Sequence, residues 1–325
     1  MDGFAVTEAP GQEDLFKQFS RDIAHNRIAH SLLLVGRRGT GKRTLAAFIA
    51  RALLCTGEQP PCNRCHACKA LEHGNHPDAV WVTPSGKTFR VEEVYEIQQA
   101  LALRPFKGGR RVVVVEDAHT MNAPAQNKLL KTLEEPPAGS ILVLLAEKTA
   151  SLLPTVLSRC RIVRMQAVPV QRMADILRGN GCSAEKAWHV AAMSDGSLGK
   201  AKELMDDEAY FALRDRAAEA LLAIREKEGV FPAMALLRER KDQIAGVLSV
   251  WQTLLRDGLL YSQGIAAFHA DHTDWVEKIA GLGKFRLEKM LMSVLEAEFQ
   301  LSCNTQTALL CDVLTMGLQG EKDRA

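Results

Sequence analysis

Hydrophobic residues along the first half of this chain follow two rhythms that alternate. One places apolar residues at helical spacing, as at Leu15, Phe19 and Ile23, and predicts amphipathic helices. The other is a short aliphatic run, such as Val112 to Val115, which is typical of a strand buried on both faces. Because the two alternate, the sequence predicts an α/β fold with a parallel sheet and helices on both faces. Predicted strands cover residues 31–35, 79–83, 111–115, 141–146 and 161–165, and predicted helices cover 12–26, 42–54, 91–103 and 123–134.

The pattern changes after Pro169, where the strand-like runs end. Three short helical patterns, broken by glycines, occupy residues 170–205. Longer amphipathic patterns follow, including residues 244–260 and 285–301. The sequence therefore predicts three domains. They are an α/β domain over residues 1–166, a small helical domain over 167–205, and a helical bundle over 206–325.

Length and composition fit a globular protein of several domains. The chain has 325 residues, of which 47% are hydrophobic and 25% are charged, with a formal net charge of +2. A chain of this length is expected to form two or three domains, and its balanced charge confines any nucleic-acid surface to a local patch. The apolar runs are too short to cross a membrane, and the start of the chain lacks the pattern of a signal peptide. We therefore expect a cytoplasmic protein.

A glycine-rich segment follows the first predicted strand and precedes a predicted helix. Residues 36–44 read Gly-Arg-Arg-Gly-Thr-Gly-Lys-Arg-Thr and fit the pattern G-x4-G-K of a phosphate-binding loop. Gly36, Gly39 and Gly41 let backbone N–H groups converge on phosphate oxygens, and the helix N-terminus adds its dipole. Lys42 is placed to reach the outer phosphates. The order of strand, loop and helix predicts a nucleotide-binding loop, for which ATP with Mg²⁺ is the expected ligand.

Two departures from the ATPase pattern leave nucleotide binding open. The residue after Lys42 should be Ser or Thr, whose hydroxyl ligates Mg²⁺, but the chain has Arg43. Thr44 does not substitute, because one further helical residue turns its side chain by about 100°. The buried strand that should end in Asp-Glu ends in Glu116-Asp117, so each carboxylate is misplaced for the metal or for the attacking water. The loop either still binds nucleotide or is a relic that no longer does.

Four cysteines lie within a span of fourteen residues, at Cys55, Cys62, Cys65 and Cys68. The last three are close enough to wrap one ion in a tight turn, and Cys55 supplies a fourth ligand from the end of the predicted helix. Zinc prefers four thiolates in a tetrahedron, and a structural site leaves no open position. The spacing therefore predicts structural zinc rather than free thiols or a redox pair. The inserted module covers about residues 55–76 and contains spare donors at His66, His73 and His76.

Several further segments resemble one protein family. Residues 127–137 contain Asn-Lys-Leu-Leu-Lys and Leu-Glu-Glu-Pro-Pro, and residues 153–160 read Leu-Pro-Thr-Val-Leu-Ser-Arg-Cys. Gly11-Gln12 near the start and His30 before the first strand match as well. Together with the phosphate loop and the cysteine cluster, these segments resemble the bacterial DNA polymerase III clamp-loader family, a branch of the AAA+ ATPases. The resemblance implies that the α/β part is a AAA+ domain, followed by a helical lid and a helical collar that joins the subunits of a ring.

Within that family, three departures favour the stator type of subunit over the gamma/tau motor. The metal-ligating hydroxyl is replaced at Arg43, and the order of the two acids is inverted at Glu116-Asp117. The motor's lid usually reads Gly-Ser-Leu-Arg, whereas residues 196–199 read Gly-Ser-Leu-Gly. The arginine that would touch the γ-phosphate is therefore replaced by Gly199. We expect little or no ATP hydrolysis by this chain, with fold and assembly intact.

The resemblance implies a catalytic role in trans for Arg159. In this family the arginine of the Ser-Arg-Cys segment faces the ATP site of the neighbouring subunit and acts as an arginine finger. The alternative is a surface arginine that pairs with a nearby acid. Ser158 and Cys160 are expected to pack and to orient the loop.

The function implied by the resemblance is that of a stator in a heteropentameric clamp loader, which loads the sliding clamp onto primed DNA. Its expected partners are the gamma/tau and delta subunits and, through the complex, the sliding clamp and DNA. Two other functions stay open, namely an active ATPase motor of the gamma/tau type and a stand-alone AAA+ ATPase that acts on DNA junctions. Arg43 and Gly199 argue against both of them.

Overall fold

The computed structural model describes residues 9–106, 109–224, 231–239, 243–261, 263–265, 269, 271–302, 310–311, 313–314 and 317–318. The described chain forms two compact units. The first contains the chain up to Pro169 together with the segment Gly196–Lys200. The second contains Val170–Asp195 and the described residues from Ala201 onward.

The first unit is built on one sheet of parallel strands. The strands are β1 (Ser31–Val35), β2 (Ala79–Val82), β3 (Arg111–Val115), β4 (Ser140–Ala146) and β5 (Arg161–Arg164). Their order in the sheet is β2-β3-β4-β1-β5, so β4 separates β1 from β3. Because every strand runs in the same direction, the segments that follow β1, β3 and β4 meet at the carboxyl edge of the sheet. The segments that precede the strands meet at the opposite, amino edge.

Helices cover both faces of this sheet. They are α1 (Glu13–Ala24), α2 (Lys42–Leu54), α3 (His66–Glu72), α4 (Val91–Ala102), α5 (Ala123–Glu134) and α6 (Pro154–Leu157). On one face Phe19 of α1 and Ile49 of α2 are fully buried against the sheet. On the other face Ile97 of α4 and Leu129 of α5 are fully buried. Burial on both faces explains why β3 is a run of valines after Arg111, since every residue of that strand is buried.

The described residues after Pro169 form helices and the turns between them. They are α7 (Val170–Gly179), α8 (Ala184–Met193), α9 (Leu198–Met205), α10 (Glu208–Ala223), α11 (Phe231–Glu239), α12 (Ile244–Tyr261), α13 (Thr273–Ala280) and α14 (Lys284–Ser302). The core of the second unit contains Trp251 of α12, which is fully buried and donates its indole N–H to the Ala217 carbonyl at 2.7 Å. Each helix among the described residues is too short or too polar to cross a lipid bilayer.

The predicted fold class is confirmed, and β1, α2, β3 and α5 begin and end where the sequence predicts. The first helix is shorter than the predicted residues 12–26, because it ends at Ala24 and Asn26 adopts a left-handed conformation with φ of 54°. Separate lid and collar domains, over residues 167–205 and 206–325, stay a prediction. The compact units place Val170–Asp195 together with the later helices.

Candidate functional site

The glycine-rich segment forms the turn between β1 and α2 at the carboxyl edge of the sheet. Lys42 is engaged by the loop itself, because its ammonium group donates to the carbonyls of Gly36 at 2.6 Å and of Arg37 at 2.9 Å. Burial lowers the pKa of Lys42, and the charges of Glu147 and Asp117 act in the opposite direction. The predicted lysine is thus at the centre of the loop, with two acids within electrostatic reach.

Arg43 and Glu116, which both depart from the ATPase pattern, are paired with each other. The Nε atom of Arg43 lies 3.2 Å from Oε1 of Glu116, and the guanidinium group lies 5.2 Å from the centroid of the Trp81 ring. The geometry of these two atoms is not that of a hydrogen bond, so the two side chains interact mainly through the attraction of their charges. The side chain of Arg43 is 68% exposed, and a pair of this kind contributes about 0–1 kcal/mol. A guanidinium group therefore stands where a magnesium-dependent ATPase has a metal-ligating hydroxyl.

The acids that follow β3 have different surroundings. Burial raises the pKa of Glu116, the Arg43 charge lowers it, and the Asp117 charge raises it again. Asp117 has left-handed backbone angles, φ 48° and ψ 38°, and precedes a short 3-10 helix at Ala118–Thr120. Such angles are uncommon outside glycine, and here they turn the chain directly after the strand. The structure thus brings Glu116 to Arg43 and Asp117 towards Lys42.

The segment Gly196–Lys200 lies on the phosphate loop. The N–H of Gly199 donates to the carbonyl of Gly39 at 3.2 Å. A Cβ atom on Gly199 would lie 2.9 Å from the Cα of Gly39, and one on Gly39 would lie 2.2 Å from Oγ of Ser197. Gly39 also has φ of 75°, which favours glycine. Gly199, at the position of the motor's arginine, therefore allows two backbones to approach closely.

The four cysteines converge on one point, with their sulfur atoms all within 4.8 Å of one another. Cys55 follows the last residue of α2, Cys65 caps the start of α3, and Cys68 lies inside that helix. The sulfurs of Cys55 and Cys65 are 3.9 Å apart. Two sulfurs on a tetrahedral ion with bonds of about 2.3 Å lie about 3.8 Å apart. The four cysteines, including Cys62, therefore fit a metal ion held by four thiolates. Among the described residues, this group of possible metal ligands does not include the nearby histidines.

Backbone N–H groups lower the pKa of two thiols of this cluster, Cys62 and Cys65. The N–H of Cys62 donates to Sγ of Cys55, and the N–H of Cys68 donates to Sγ of Cys65, both at 3.4 Å. Burial acts to raise the pKa of Cys65, but hydrogen bonds from Cys68 and Thr56 outweigh it and lower the pKa to about 5. Thiolates are the form in which cysteines bind metals, so these hydrogen bonds prepare Cys65 to bind an ion, whereas burial raises the pKa of Cys68 to about 12.

Arg159 follows α6 and stays accessible to solvent. Its side chain is 35% exposed, and its Nη2 atom lies 2.6 Å from Oε1 of Glu134. Its Nη1 atom donates to the Thr155 carbonyl at 3.0 Å and to the Ser158 hydroxyl at 3.3 Å. Cys160 packs against the core, and burial raises the pKa of its thiol to about 11. The acid partner expected of an ordinary surface arginine is present, yet part of the guanidinium group remains open to solvent.

Arg159 and the phosphate loop lie at opposite edges of the sheet. The register pairs Arg161 of β5 with Leu32 at the start of β1, and Arg164 with Val35 at its end. Arg159 precedes β5 and so lies at the amino edge, whereas the loop follows β1 at the carboxyl edge. Strands rise about 3.3 Å per residue, which places the two roughly 13 Å or more apart along the sheet. Within this unit, Arg159 and Lys42 do not share a site.

Three residues at these sites were not singled out from the sequence. Glu147 directly follows the buried strand β4, and this position at the carboxyl edge of a parallel sheet is the signal that could have found it. Trp81 carries no comparable signal, because its contact with Arg43 joins segments that are distant along the chain. Glu134 lies in the Leu-Glu-Glu-Pro-Pro segment of the family resemblance, but that segment does not predict the contact with Arg159.

The strand order, with β4 between the phosphate-loop strand and the acid-bearing strand, and the helical region that follows define a AAA+ protein with altered catalytic positions. Residues 11–169 match the family described as "DNA polymerase III, delta subunit". The delta-prime subunit of Bacillus subtilis is 26% identical over 95% of this chain and 96% of that protein. The chain belongs to the family of DNA polymerase III delta-prime subunits.

Other relatives include both types of subunit. The delta-prime subunit of Pseudomonas aeruginosa is 36% identical, over 60% of this chain and 56% of that protein. The tau subunit of Bacillus subtilis is 29% identical over 62% of this chain and 37% of that protein. A solved structure of a gamma-subunit-related protein from Thermotoga maritima covers 94% of this chain and 98% of that one, at 18% identity and a TM-score of 0.43. The family assignment therefore rests on the sequence relatives and on the strand order.

We expect Gly199→Ala to loosen the contact between the phosphate loop and the segment Gly196–Lys200. The new methyl group would lie 2.9 Å from the Cα of Gly39, and relieving such an overlap costs about 1–3 kcal/mol. Hydrogen exchange followed by mass spectrometry should show at least several-fold faster exchange in both segments. Gly179→Ala is the matched control, because a Cβ there meets no atom within 4 Å. Unchanged exchange in the Gly199 variant would contradict the close backbone contact.

Proposed function

We propose that this chain is the stator of a DNA polymerase III clamp loader, a hetero-oligomer with gamma/tau and delta subunits that loads the sliding clamp onto primed DNA. One observation carries the proposal. A single AAA+ unit combines an accessible arginine at one edge of its sheet with a phosphate loop, at the other edge, whose catalytic positions are replaced. Such a chain is suited to contribute an arginine to the ATP site of a neighbouring subunit rather than to hydrolyse ATP at its own phosphate loop.

The alternative of an active gamma/tau motor is not favoured by a specific observation. Motor subunits are relatives of this chain, but Arg43 is paired with Glu116 and Gly199 is packed on the loop. A stand-alone ATPase acting on DNA junctions would need the same hydrolytic positions. The replaced residues at Arg43 and Gly199 therefore argue against both alternatives.

The replaced residues each remove one requirement of ATP hydrolysis. Mg²⁺ needs oxygen ligands, and Arg43 offers a positive charge in their place. Glu116 is paired with that charge, so it is a poor partner for the metal or for water. Gly199 supplies no cation to the γ-phosphate. The amides of the loop and Lys42 remain, so weak nucleotide binding without turnover is compatible with this function.

We expect the purified chain to hydrolyse ATP at the background rate in the presence of Mg²⁺. The Lys42→Ala variant should give the same rate, because the wild-type loop contributes no turnover. A motor subunit from the same organism, assayed in parallel, is the positive control. Turnover at the motor's rate, lost in Lys42→Ala, would make the stator assignment wrong.

For the cysteine cluster we propose structural zinc. Four protein thiolates fill a tetrahedral site, so no position is left for a substrate or a catalytic water. Zinc would join the end of α2 to the start of α3 and contribute folding free energy to the module over residues 55–76. The strands of the sheet pair with one another without any residue of this module.

We expect one zinc ion per chain by elemental analysis of the purified protein. Cys62→Ser should lower the zinc content sharply and speed hydrogen exchange over residues 55–76, while the strands keep their protection. Cys182→Ser, which changes a thiol outside the cluster, is the control and should retain the metal. Well under one zinc per chain in the wild type, or equal loss in both variants, would refute a zinc site at these cysteines.

Arg159 is proposed as an arginine finger that acts in trans. A guanidinium group next to a transferring γ-phosphate neutralises charge that develops in the transition state, and such fingers are worth about 10³–10⁵ in rate. Its own phosphate loop lies at the other edge of the sheet and lacks the hydrolytic residues. The ATP that it serves is therefore that of the adjacent motor subunit.

We expect Arg159→Ala to lower DNA-stimulated ATP turnover and clamp loading of the reconstituted complex, while the ring still assembles. The loss should be partial, because only one of the motor sites receives this arginine. Arg178→Ala is the matched control, since Arg178 is also exposed and ion-paired, with Asp175. Normal turnover and loading in the Arg159 variant, with assembly verified by native mass spectrometry, would count decisively against the finger.

A further inference from the structure

Glu134 lies beside the guanidinium group of Arg159, with Oε1 2.6 Å from Nη2. We propose that Glu134 is a positioning residue for Arg159, which orients the guanidinium group towards the triphosphate of the neighbouring subunit. The inference rests on the proposed finger role of Arg159. It assigns a function to the Leu-Glu-Glu-Pro-Pro segment, which otherwise has none in this chain.

The contacts of Arg159 fix the plane of its guanidinium group and leave donors available. A guanidinium group has five N–H donors in one plane. Nη2 is paired with Glu134, and Nη1 donates to Thr155 and Ser158. Nε and the second N–H of Nη2 have no partner among the described residues. Because the side chain is 35% exposed, these remaining donors can reach phosphate oxygens of another subunit.

Helix α5 holds the segment that carries Arg159 at two points. Gln126 of α5 is buried, and its amide group donates to the Ser151 carbonyl at 2.9 Å and accepts from the Leu153 N–H at 2.7 Å. These bonds fix the start of the segment, directly before α6. Glu134, at the end of the same helix, binds the other end of the segment at Arg159. One rigid helix therefore sets the position of the arginine relative to the sheet.

Orientation matters because the free side chain of arginine has many rotamers, and a group that is already aligned loses less freedom when it meets phosphate. Glu134 is 49% exposed, so its pairing with Arg159 is weak enough to yield to small adjustments. A partner of this strength aligns the group without holding it away from the phosphate. Truncation of Glu134 should therefore slow the chemical step and leave fold and assembly unchanged.

The test uses the complete complex, reconstituted with Glu134→Ala, Glu134→Gln, Arg159→Ala or the control Glu135→Ala. Glu135 is the neighbouring exposed carboxylate of the same segment. The part of ATP turnover that depends on Arg159 should fall about 2- to 5-fold in Glu134→Ala, as expected for loss of a weak orienting contact. The kcat should fall with KM unchanged, because a finger acts on the transition state. Glu134→Gln keeps an acceptor and should recover part of the rate.

Two further comparisons separate the possible outcomes. In the Arg159→Ala background, Glu134→Ala should have no additional effect, since its role requires the arginine. Turnover in Glu134→Ala that equals or exceeds that of Glu135→Ala would overturn the positioning role, and a gain would show that Glu134 restrains the arginine instead. If Arg159→Ala itself has no effect, the proposed finger fails. If only the Arg159 variant loses activity, the inference about Glu134 fails and the finger stands.

Discussion

The parallel register of β1 and β5 determines how far the phosphate loop lies from Arg159 along the sheet. It places the phosphate loop after β1 at one edge of the sheet and Arg159 before β5 at the other. Hydrogen bonds between strands hold this separation, and no rotation of side chains removes it. Arg159 and the phosphate loop therefore do not share a site within this unit, which supports the proposal that the arginine acts in trans.

The residues that depart from the ATPase pattern make contacts within the first unit. Arg43 and Glu116 satisfy each other's charge, and the loop's lysine is engaged by loop carbonyls. Gly199 stands where the motor subunits usually have an arginine, and its backbone packs on Gly39. We propose that this unit keeps the AAA+ shape without hydrolysing ATP.

Local patterns were sufficient to predict much of this molecule. Periodicity located β1, α2, β3 and α5, and cysteine spacing predicted a cluster that the structure brings together. The pairs formed by Arg43 with Glu116 and by Arg159 with Glu134 were not predicted. They depend on which strands are neighbours and on the course of α5 across the sheet, and neither is encoded in a short window of sequence.

We propose that this chain contributes an arginine to a neighbouring subunit and does not itself hydrolyse ATP. The most direct measurement compares Lys42→Ala and Arg159→Ala, each placed in this chain alone, within the same reconstituted complex. DNA-stimulated ATP turnover should be unchanged by the first substitution, because the loop is catalytically silent, and reduced by the second. A complex that loses turnover with Lys42→Ala and keeps it with Arg159→Ala would contradict the account.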